Sequence, residues 1–109
     1  MTTDLISEEE LLEVLRWSTQ RLTRAVEGRR IFFVLISGRR LFPAFYADPS
    51  NDQKHLQVVT KRLGELPGGS KLQFFNTPKG SLGGITPLQA LRLGRVAAVN
   101  VAADGFACR

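Results

Sequence analysis

Apolar residues recur at helical spacing in the first third of the chain. Ser7 precedes Glu8–Glu10 in the arrangement of a capping box, with Ser7 as N-cap and Glu10 three residues on. The apolar positions that follow are Leu11, Leu12 and Leu15. Their spacing predicts a first helix over residues 8–16.

A second helix is predicted directly after a short connection. Ser18 is a candidate N-cap, and Gly28 is expected to end the helix as the first residue beyond it. The expected buried face carries Leu22, Ala25 and Val26. Two helices joined in this way predict a helix-turn-helix, although Arg16 and Trp17 stand where such a turn normally has a glycine and a small aliphatic residue.

The next segment has the pattern of a β-hairpin. Ile31–Ile36 predicts a strand, Ser37-Gly38 a turn, and Arg39–Tyr46 a returning strand, in which Pro43 should face an edge or a bulge. Every residue of the first strand is apolar, whereas a hairpin with one wet face should alternate. We therefore expect both faces to be covered, by the helices on one side and by later residues or a second subunit on the other, which predicts a homodimer.

Helical patterns dominate residues 48–109. A third helix should bury Leu56, Val59 and Leu63, and the PGGS sequence of residues 67–70 should break it. A short helix over residues 71–75 should bury Leu72 and Phe75, and an irregular loop should follow over residues 77–84. Thr86 and Pro87 begin a helix that Gly94 stops, and residues 95–107 form a last helix.

These elements together predict an α+β fold. Residues 1–47 form a short winged helix-turn-helix segment of two helices plus a hairpin, and residues 48–109 form a small helical bundle. A chain of 109 residues supports one modest core, so we expect the two segments to pack as one unit.

Positive charge is concentrated around the predicted second helix and hairpin. The net charge is +5, and residues 16–40 hold seven arginines against one acid, Glu27. The guanidinium group matches phosphate geometry, so this distribution favours DNA binding over a merely solvated face. The residues predicted to reach base edges or phosphates are Gln20, Arg21 and Arg24, and those predicted to hold the backbone are Arg29, Arg30, Arg39 and Arg40.

The sequence lacks the patterns that catalysis and metal binding require. It contains no CxxC, HxxxH, paired-carboxylate or P-loop motif, and the GSLGG of residues 80–84 lacks the lysine and hydroxyl residue of a phosphate loop. His55 is expected on the surface, and Cys108 has no histidine near it in sequence. We expect a non-enzymatic protein without catalytic residues, metal or cofactor.

Two features of the sequence bear on the cellular location of the protein. The longest apolar run, Ile31–Ile36, is too short to cross a bilayer, and the first ten residues do not resemble a secretory signal. A single cysteine suits a reducing compartment. The expected location is the cytoplasm.

The C-terminal third carries a family resemblance. LQFFNTPKGSLGGITPLQALRLGRVAAVNVAADGFA, residues 72–107, resembles the C-terminal, toxin-binding domain of Xre/MbcA/ParS-like antitoxins, in which aromatic residues precede a proline-containing loop and LGG-x-TPL. The match is looser back to Leu41, and the GR-x-x-x-PAF of residues 38–45 is similar to small helix-turn-helix proteins whose start resembles excisionases. Tyr46 departs from the usual glutamine, and the longer Xre-type helix-turn-helix is missing.

The resemblance implies a bacterial toxin–antitoxin regulator that binds DNA and a RES-type toxin. The residues it implies for partner binding are Leu82, Gly83, Gly84, Thr86, Pro87 and Leu88. A purely structural hinge is the other interpretation of LGG-x-TPL. The alternative function is a protein-interaction module or homodimer scaffold without DNA binding, in which an exposed Trp17 would be a contact anchor rather than a packed turn residue.

Overall fold

The computed structural model describes residues 4–108, which form an α+β fold of six α-helices and one three-stranded antiparallel sheet. The elements in chain order are β1 (Leu5–Ser7), α1 (Glu8–Leu15), α2 (Thr19–Glu27), β2 (Val34–Ile36), β3 (Arg39–Pro43), α3 (Gln53–Arg62), α4 (Gly68–Asn76), α5 (Pro87–Arg92) and α6 (Val96–Ala107). Two short 3₁₀ turns, Ala44–Tyr46 and Gly80–Leu82, lie between them. None of the helices in residues 4–108 is long and apolar enough to cross a membrane.

The sheet has one strand that the sequence pattern does not predict. β1 pairs with β3, with Leu5 opposite Pro43, so β3 is the central strand in the order β1-β3-β2. The pairing of β2 with β3 ends at Val34, which lies opposite Leu41. Pro43 lies beyond this pairing, so its missing N–H removes no hydrogen bond between β2 and β3. Ala44 continues the β1 pairing by donating to the carbonyl of Asp4 at 2.9 Å.

Local capping signals place the starts of α1, α2 and α5 as predicted. The hydroxyls of Ser7 and Ser18 accept from the amides three residues on, at 3.2 and 3.1 Å. At α5, Thr86 and Gln89 form the full reciprocal capping box, with Pro87 in the first turn. These starts are confirmed because each depends on residues within one helical turn.

The end of α2 differs from the prediction by one residue. Gly28 was expected to take the left-handed position beyond the helix, but its φ is −80°, and Arg29 has φ of 60° instead. The amide of Arg30 donates to the carbonyl of Ala25 at 2.9 Å, which closes the helix as a Schellman motif with Arg29 at the left-handed residue.

The predicted strand over Ile31–Ile36 is wrong in its first half. Ile31 also donates to the Ala25 carbonyl, which holds the chain against α2, so pairing begins only at Val34. Ser37 and Gly38 have positive φ, as a two-residue hairpin turn requires. The returning strand ends at Pro43 rather than Tyr46, because residues 44–46 form a 3₁₀ turn.

Burial along this apolar segment is also uneven. Phe32 is 4% exposed and contacts the rings of Phe45, Tyr46 and Phe75. Leu35 at the hairpin tip is 64% exposed, so later residues of the chain do not cover this position, and its coverage by a second subunit stays a prediction.

The C-terminal half builds its core from α3, α4 and α6. Leu56, Val59 and Leu63 are fully buried, as predicted. The PGGS segment is not an irregular break, because Pro67 is the N-cap of α4 and Gly68 is its first residue.

The buried residues of α4 differ in part from the prediction. α4 buries Phe74 together with the predicted Phe75, whereas Leu72 is only half-buried. Gly94 has φ of 81° and lies just beyond the end of α5, and α6 follows as predicted.

One apolar core joins the two predicted segments. Phe32 from the N-terminal segment stacks on Phe75 of α4, with ring centroids 6.2 Å apart and ring planes 8° from parallel. Phe45 lies 4.9 Å from the same Phe75 ring. Arg62 and Asp104 add an ion pair of 2.7 Å between α3 and α6. α2 and the hairpin are therefore held on a scaffold that includes the C-terminal helices.

Candidate nucleic-acid interface

α2 separates an apolar face from a polar one. Leu22 and Ala25 are 1% and 2% exposed and fix the helix to the core. Because neighbours three and four residues apart align on a helix, Gln20, Arg21 and Arg24 lie on the other side, and all three are exposed. The structure thus brings together the three residues predicted to face DNA from this helix.

The connection before α2 keeps a tight turn despite its unusual sequence. Arg16 takes the left-handed conformation, φ 56° and ψ 39°, that a glycine adopts without steric cost. The amide of Trp17 donates to the Leu12 carbonyl at 3.2 Å, and Ser18 then caps α2. Arg16 is exposed, as the pattern predicts for a side chain in this turn.

Trp17 is half-buried and packs against the core at the turn, so neither a fully inserted nor a fully exposed ring describes it. The guanidinium of Arg21 lies over this ring, 4.4 Å from its centre. Such a cation–π contact restricts a side chain that an exposed helix would leave mobile. Sequence spacing contains the signal, since residues 17 and 21 are four apart, but the interpretation of Trp17 as a pure packing residue missed it.

The hairpin arginines are both exposed but differ in their surroundings. Arg39 and Arg40 are adjacent in β3, so their side chains leave opposite faces of the sheet. The Arg40 guanidinium lies 4.4 Å from the centre of the Phe33 ring and 3.9 Å from a carboxylate oxygen of Glu8. Arg39 has no ion pair among residues 4–108 and is the less constrained of the two.

Arg29 and Arg30 are two further arginines that lie just beyond the C-terminal end of α2. Arg29 donates from Nη2 to Glu65 Oε1 at 2.6 Å, which ties this corner to the segment before α4. Arg30 is exposed and forms no ion pair within the described part of the chain. The predicted DNA-binding residues therefore form three groups, one on α2, one just beyond its C-terminal end and one on the hairpin.

The residues predicted for partner binding differ in burial and backbone conformation. Leu82 is fully buried, and Pro87 is buried at the start of α5. Gly83 and Gly84 have φ of 77° and 84°, in the left-handed region that disfavours any side chain. Arg95 donates to the Leu82 carbonyl at 2.8 Å and so fixes this turn to the start of α6.

Thr86 and Leu88 are the two members of that predicted set that line a cleft. The cleft has a volume of about 500 Å³ and is also lined by residues that include Asp4, Phe45 and Asp48. Its lining thus brings residues of the C-terminal segment, Thr86 and Leu88, next to residues at the end of the sheet. The sequence pattern does not indicate this arrangement.

Asp48 is held by a local polar network beside the cleft. Its Oδ1 accepts from the Ser50 hydroxyl and amide, at 2.7 and 2.9 Å, and these bonds, with the nearby positive charge of Arg92, lower the pKa of Asp48. Arg92 reaches Asp48 Oδ2 at 3.2 Å and Asn51 Oδ1 at 2.7 Å. The sequence ADPSND is typical of an Asx turn and is the signal for the first of these contacts.

The groups with catalytic potential are scattered. His55 at the start of α3 has only Asp52 as an acidic neighbour, at 4.0 Å, and the thiol of Cys108 is exposed at the end of α6. Within residues 4–108, no three histidine, cysteine, aspartate or glutamate side chains group as metal ligands. The exposed arginines of α2 and the hairpin therefore remain the candidates for a binding role.

Three comparisons with known proteins bear on the resemblance. No family model, curated protein or solved structure matches this chain. The kinship with Xre/MbcA/ParS-like antitoxins thus stays a prediction based on the sequence pattern, and the geometry of the site has to support any function by itself.

Proposed function

We propose that this protein is a non-enzymatic DNA-binding regulator in which α2 enters the major groove as the second helix of a short winged helix-turn-helix. The observation that carries the proposal is the exposed row of Gln20, Arg21 and Arg24 on a helix whose opposite face is buried. An α-helix presented in this way fits the major groove, and arginine and glutamine are side chains that hydrogen-bond base edges and phosphates.

The charge around this row supports the assignment. Arg24 and Arg30 have no ion pair among residues 4–108, so their positive charge is available to a polyanion. Ser18 and Trp17 fix the start of α2 and the position of Arg21, which limits the ordering that binding has to impose. Arg39 on the hairpin would contact the backbone beside the groove, as a wing does.

The test is fluorescence anisotropy with mixed-sequence duplexes at low and rising salt. Arg21→Ala combined with Arg24→Ala should abolish binding and leave the circular dichroism spectrum and melting temperature unchanged, because both side chains lie off the buried face. Lys54→Ala combined with Lys61→Ala removes the same charge from exposed positions of α3 and is the matched control. A wild-type protein that binds no duplex at low salt, or a control that loses as much binding, contradicts the proposal.

We propose a second activity, binding of a RES-type toxin, on the cleft that Thr86 and Leu88 line. The supporting observation is that residues 72–107, which carry the antitoxin-like pattern, line part of a cleft large enough for partner side chains. Leu88→Asp should reduce co-purification with a co-expressed RES-type toxin, whereas Arg24→Ala should not. Equal toxin capture by wild type and Leu88→Asp argues against this use of the cleft.

A further inference from the structure

The exposed side of α2 has a central row of residues that points directly away from the core. Successive residues of an α-helix are about 100° apart around its axis, which places Gln20, Arg24 and Glu27 within about 60° of one another. All three are exposed, and they lie opposite Leu22 and Ala25, which are 1% and 2% exposed. We call these three residues the crest of α2.

Arg21 lies on a flank of α2 rather than on its crest. It is about 60° or more around the helix axis from each crest residue. Its guanidinium lies over the Trp17 ring, 4.4 Å from the ring centre, which restricts it to the side of α2 on which the preceding turn lies. When a helix lies in the major groove, its crest faces the base edges and its flanks face the phosphates. Arg21 is therefore placed to contact a phosphate, and the crest is placed to contact bases.

Glu27 is the unexpected member of the crest. It is the only acidic residue among the seven arginines of residues 16–40, and it forms no ion pair with any residue of the described range 4–108. A carboxylate on a surface that faces DNA is repelled by the phosphates, so it weakens binding that depends on charge alone. It contributes favourably only where a base offers a hydrogen-bond donor, and the N4 amino group of cytosine is the donor that glutamate accepts from in the major groove.

We propose that the crest of α2 recognises a short base sequence, in which Arg24 binds a guanine, Glu27 binds a cytosine and Gln20 binds an adenine. The proposal rests on the proposed function, since it takes α2 to lie in the major groove. Arginine donates two hydrogen bonds to O6 and N7 of guanine, and the glutamine amide pairs with N6 and N7 of adenine. Arg24 forms no ion pair among residues 4–108 that would compete with a base.

The spacing of the crest residues fits neighbouring base pairs. Arg24 and Glu27 are about 4.5 Å apart along the helix axis, at a rise of about 1.5 Å per residue. Successive base pairs are about 3.4 Å apart along DNA, so two side chains at this separation reach adjacent pairs. The preferred target therefore contains two neighbouring G·C pairs, one contacted by Arg24 and the other by Glu27.

The test begins with selection of bound sequences from a pool of random duplexes by the full chain. Anisotropy titrations then compare the selected duplex with two others, in each of which one of the two G·C pairs is replaced by an A·T pair. Wild type should bind each replaced duplex about tenfold or more weakly, since one good base contact discriminates by at least that order. Glu27→Gln should lose most of the discrimination at one pair, and Arg24→Lys, which keeps the charge but not the two-pronged donor, should lose it at the other.

Two control variants separate base recognition from charge. Glu13→Gln removes an exposed carboxylate from α1, so it changes the net charge as Glu27→Gln does, and it should preserve the discrimination at both pairs. Arg21→Ala should weaken binding to all three duplexes by the same factor and lower the slope of log K against log salt by about 0.9, the contribution of one phosphate. Circular dichroism checks the fold of each variant.

The outcomes distinguish this proposal from the function on which it rests. A wild type that binds duplexes but selects no sequence overturns recognition by the crest while DNA binding stands. Unchanged discrimination at both pairs in Glu27→Gln overturns it as well, because the carboxylate then contacts no base. A wild type that binds no duplex at low salt contradicts the proposed function itself, and recognition by the crest with it.

Discussion

The guanidinium carbon of Arg21 lies 4.4 Å from the centre of the Trp17 indole ring. The ring is half-buried at the turn between α1 and α2, so it supports the arginine from a fixed position. A large aromatic residue in this turn therefore need not disrupt a DNA-facing helix. It restricts the side chain of Arg21 on the exposed face of that helix.

This contact makes Trp17 a reporter of the proposed interface. It is the only tryptophan in the chain, so the intrinsic emission comes from one site. We expect duplex DNA to change that emission, because a phosphate bound by Arg21 brings negative charge close to the ring. Arg21→Ala should change the emission without DNA and remove most of the response to DNA, whereas Arg62→Lys, far from the ring in sequence and paired with Asp104, should preserve both. Identical emission in wild type and Arg21→Ala would contradict the stacked arrangement.

The left-handed conformation of Arg16 predicts a stabilising substitution. A non-glycine residue with φ of 56° is strained, and that strain costs about 1–2 kcal/mol. Glycine removes the strain but gains freedom in the unfolded chain, so Arg16→Gly should raise the free energy of unfolding by about 0.5–1 kcal/mol in urea titrations. Arg24→Gly, within α2 and at negative φ, should lower it by about 1 kcal/mol. A loss of stability in Arg16→Gly would mean that the arginine side chain makes a stabilising contact.

Features determined within a few residues were predictable from the sequence. The caps at Ser7, Ser18 and Thr86 depend on hydrogen bonds between residues three apart in the sequence. The exposure of Arg21 and Arg24 follows from helical periodicity. Long-range pairing was not predictable. β1 is a strand only because β3 lies beside it, and the pattern of Ile31–Ile36 cannot show that α2 holds its first residues away from the sheet.

The same distinction applies to the site. The sequence places seven arginines near α2 and the hairpin, but it does not show which of them are engaged by acids. Glu65 is 36 residues from Arg29, so their ion pair depends on how α4 is packed.

Exposed aliphatic side chains predict self-association. Leu35 at the hairpin tip and Val101 on α6 are 64% and 71% exposed, and burying such residues in a second copy removes apolar area from water. We expect a homodimer at micromolar concentration through one of these two surfaces. Sedimentation should show a monomer for Leu35→Asp if the hairpin forms the interface, and for Val101→Asp if α6 does. A wild type that sediments only as a 12.1 kDa species contradicts this prediction.

The network around Asp48 predicts a loss of stability in acid. Hydrogen bonds from Ser50, together with Arg92, lower the folded-state pKa of Asp48 below its ordinary value of about 3.9. A lowered folded pKa means that the stabilisation is complete above about pH 3.9 and disappears as the pH falls through the folded value. Wild type should therefore be more stable than Asp48→Asn at pH 7, and urea titrations should show this difference shrinking below about pH 4. A difference that stays constant from pH 7 to pH 2.5 would mean that Asp48 stabilises the loop without its charge.

Gly68, the first residue of α4, lies against the backbone of Phe33 in the N-terminal half. A Cβ atom built there would be 2.0 Å from the carbonyl oxygen of Phe33, and backbone at that position cannot move aside as a flexible side chain does. Gly68→Ala should therefore push the start of α4 away from β2 and lower the free energy of unfolding by about 2–3 kcal/mol. Gly69→Ala is the matched control, because its Cβ atom meets nothing within 4 Å and alanine favours a helix more than glycine does.

The pair separates close packing from helix propensity. Gly69→Ala should leave stability unchanged or raise it by up to about 1 kcal/mol, so opposite effects at adjacent positions would locate the cause in the Phe33 contact. Because Phe32 next to it stacks on Phe75 of the same helix, the displacement in Gly68→Ala should also loosen the shared core and reduce the near-ultraviolet circular dichroism of the aromatic residues. Equal stability of the two variants would show that α4 does not press on the start of the hairpin at Phe33.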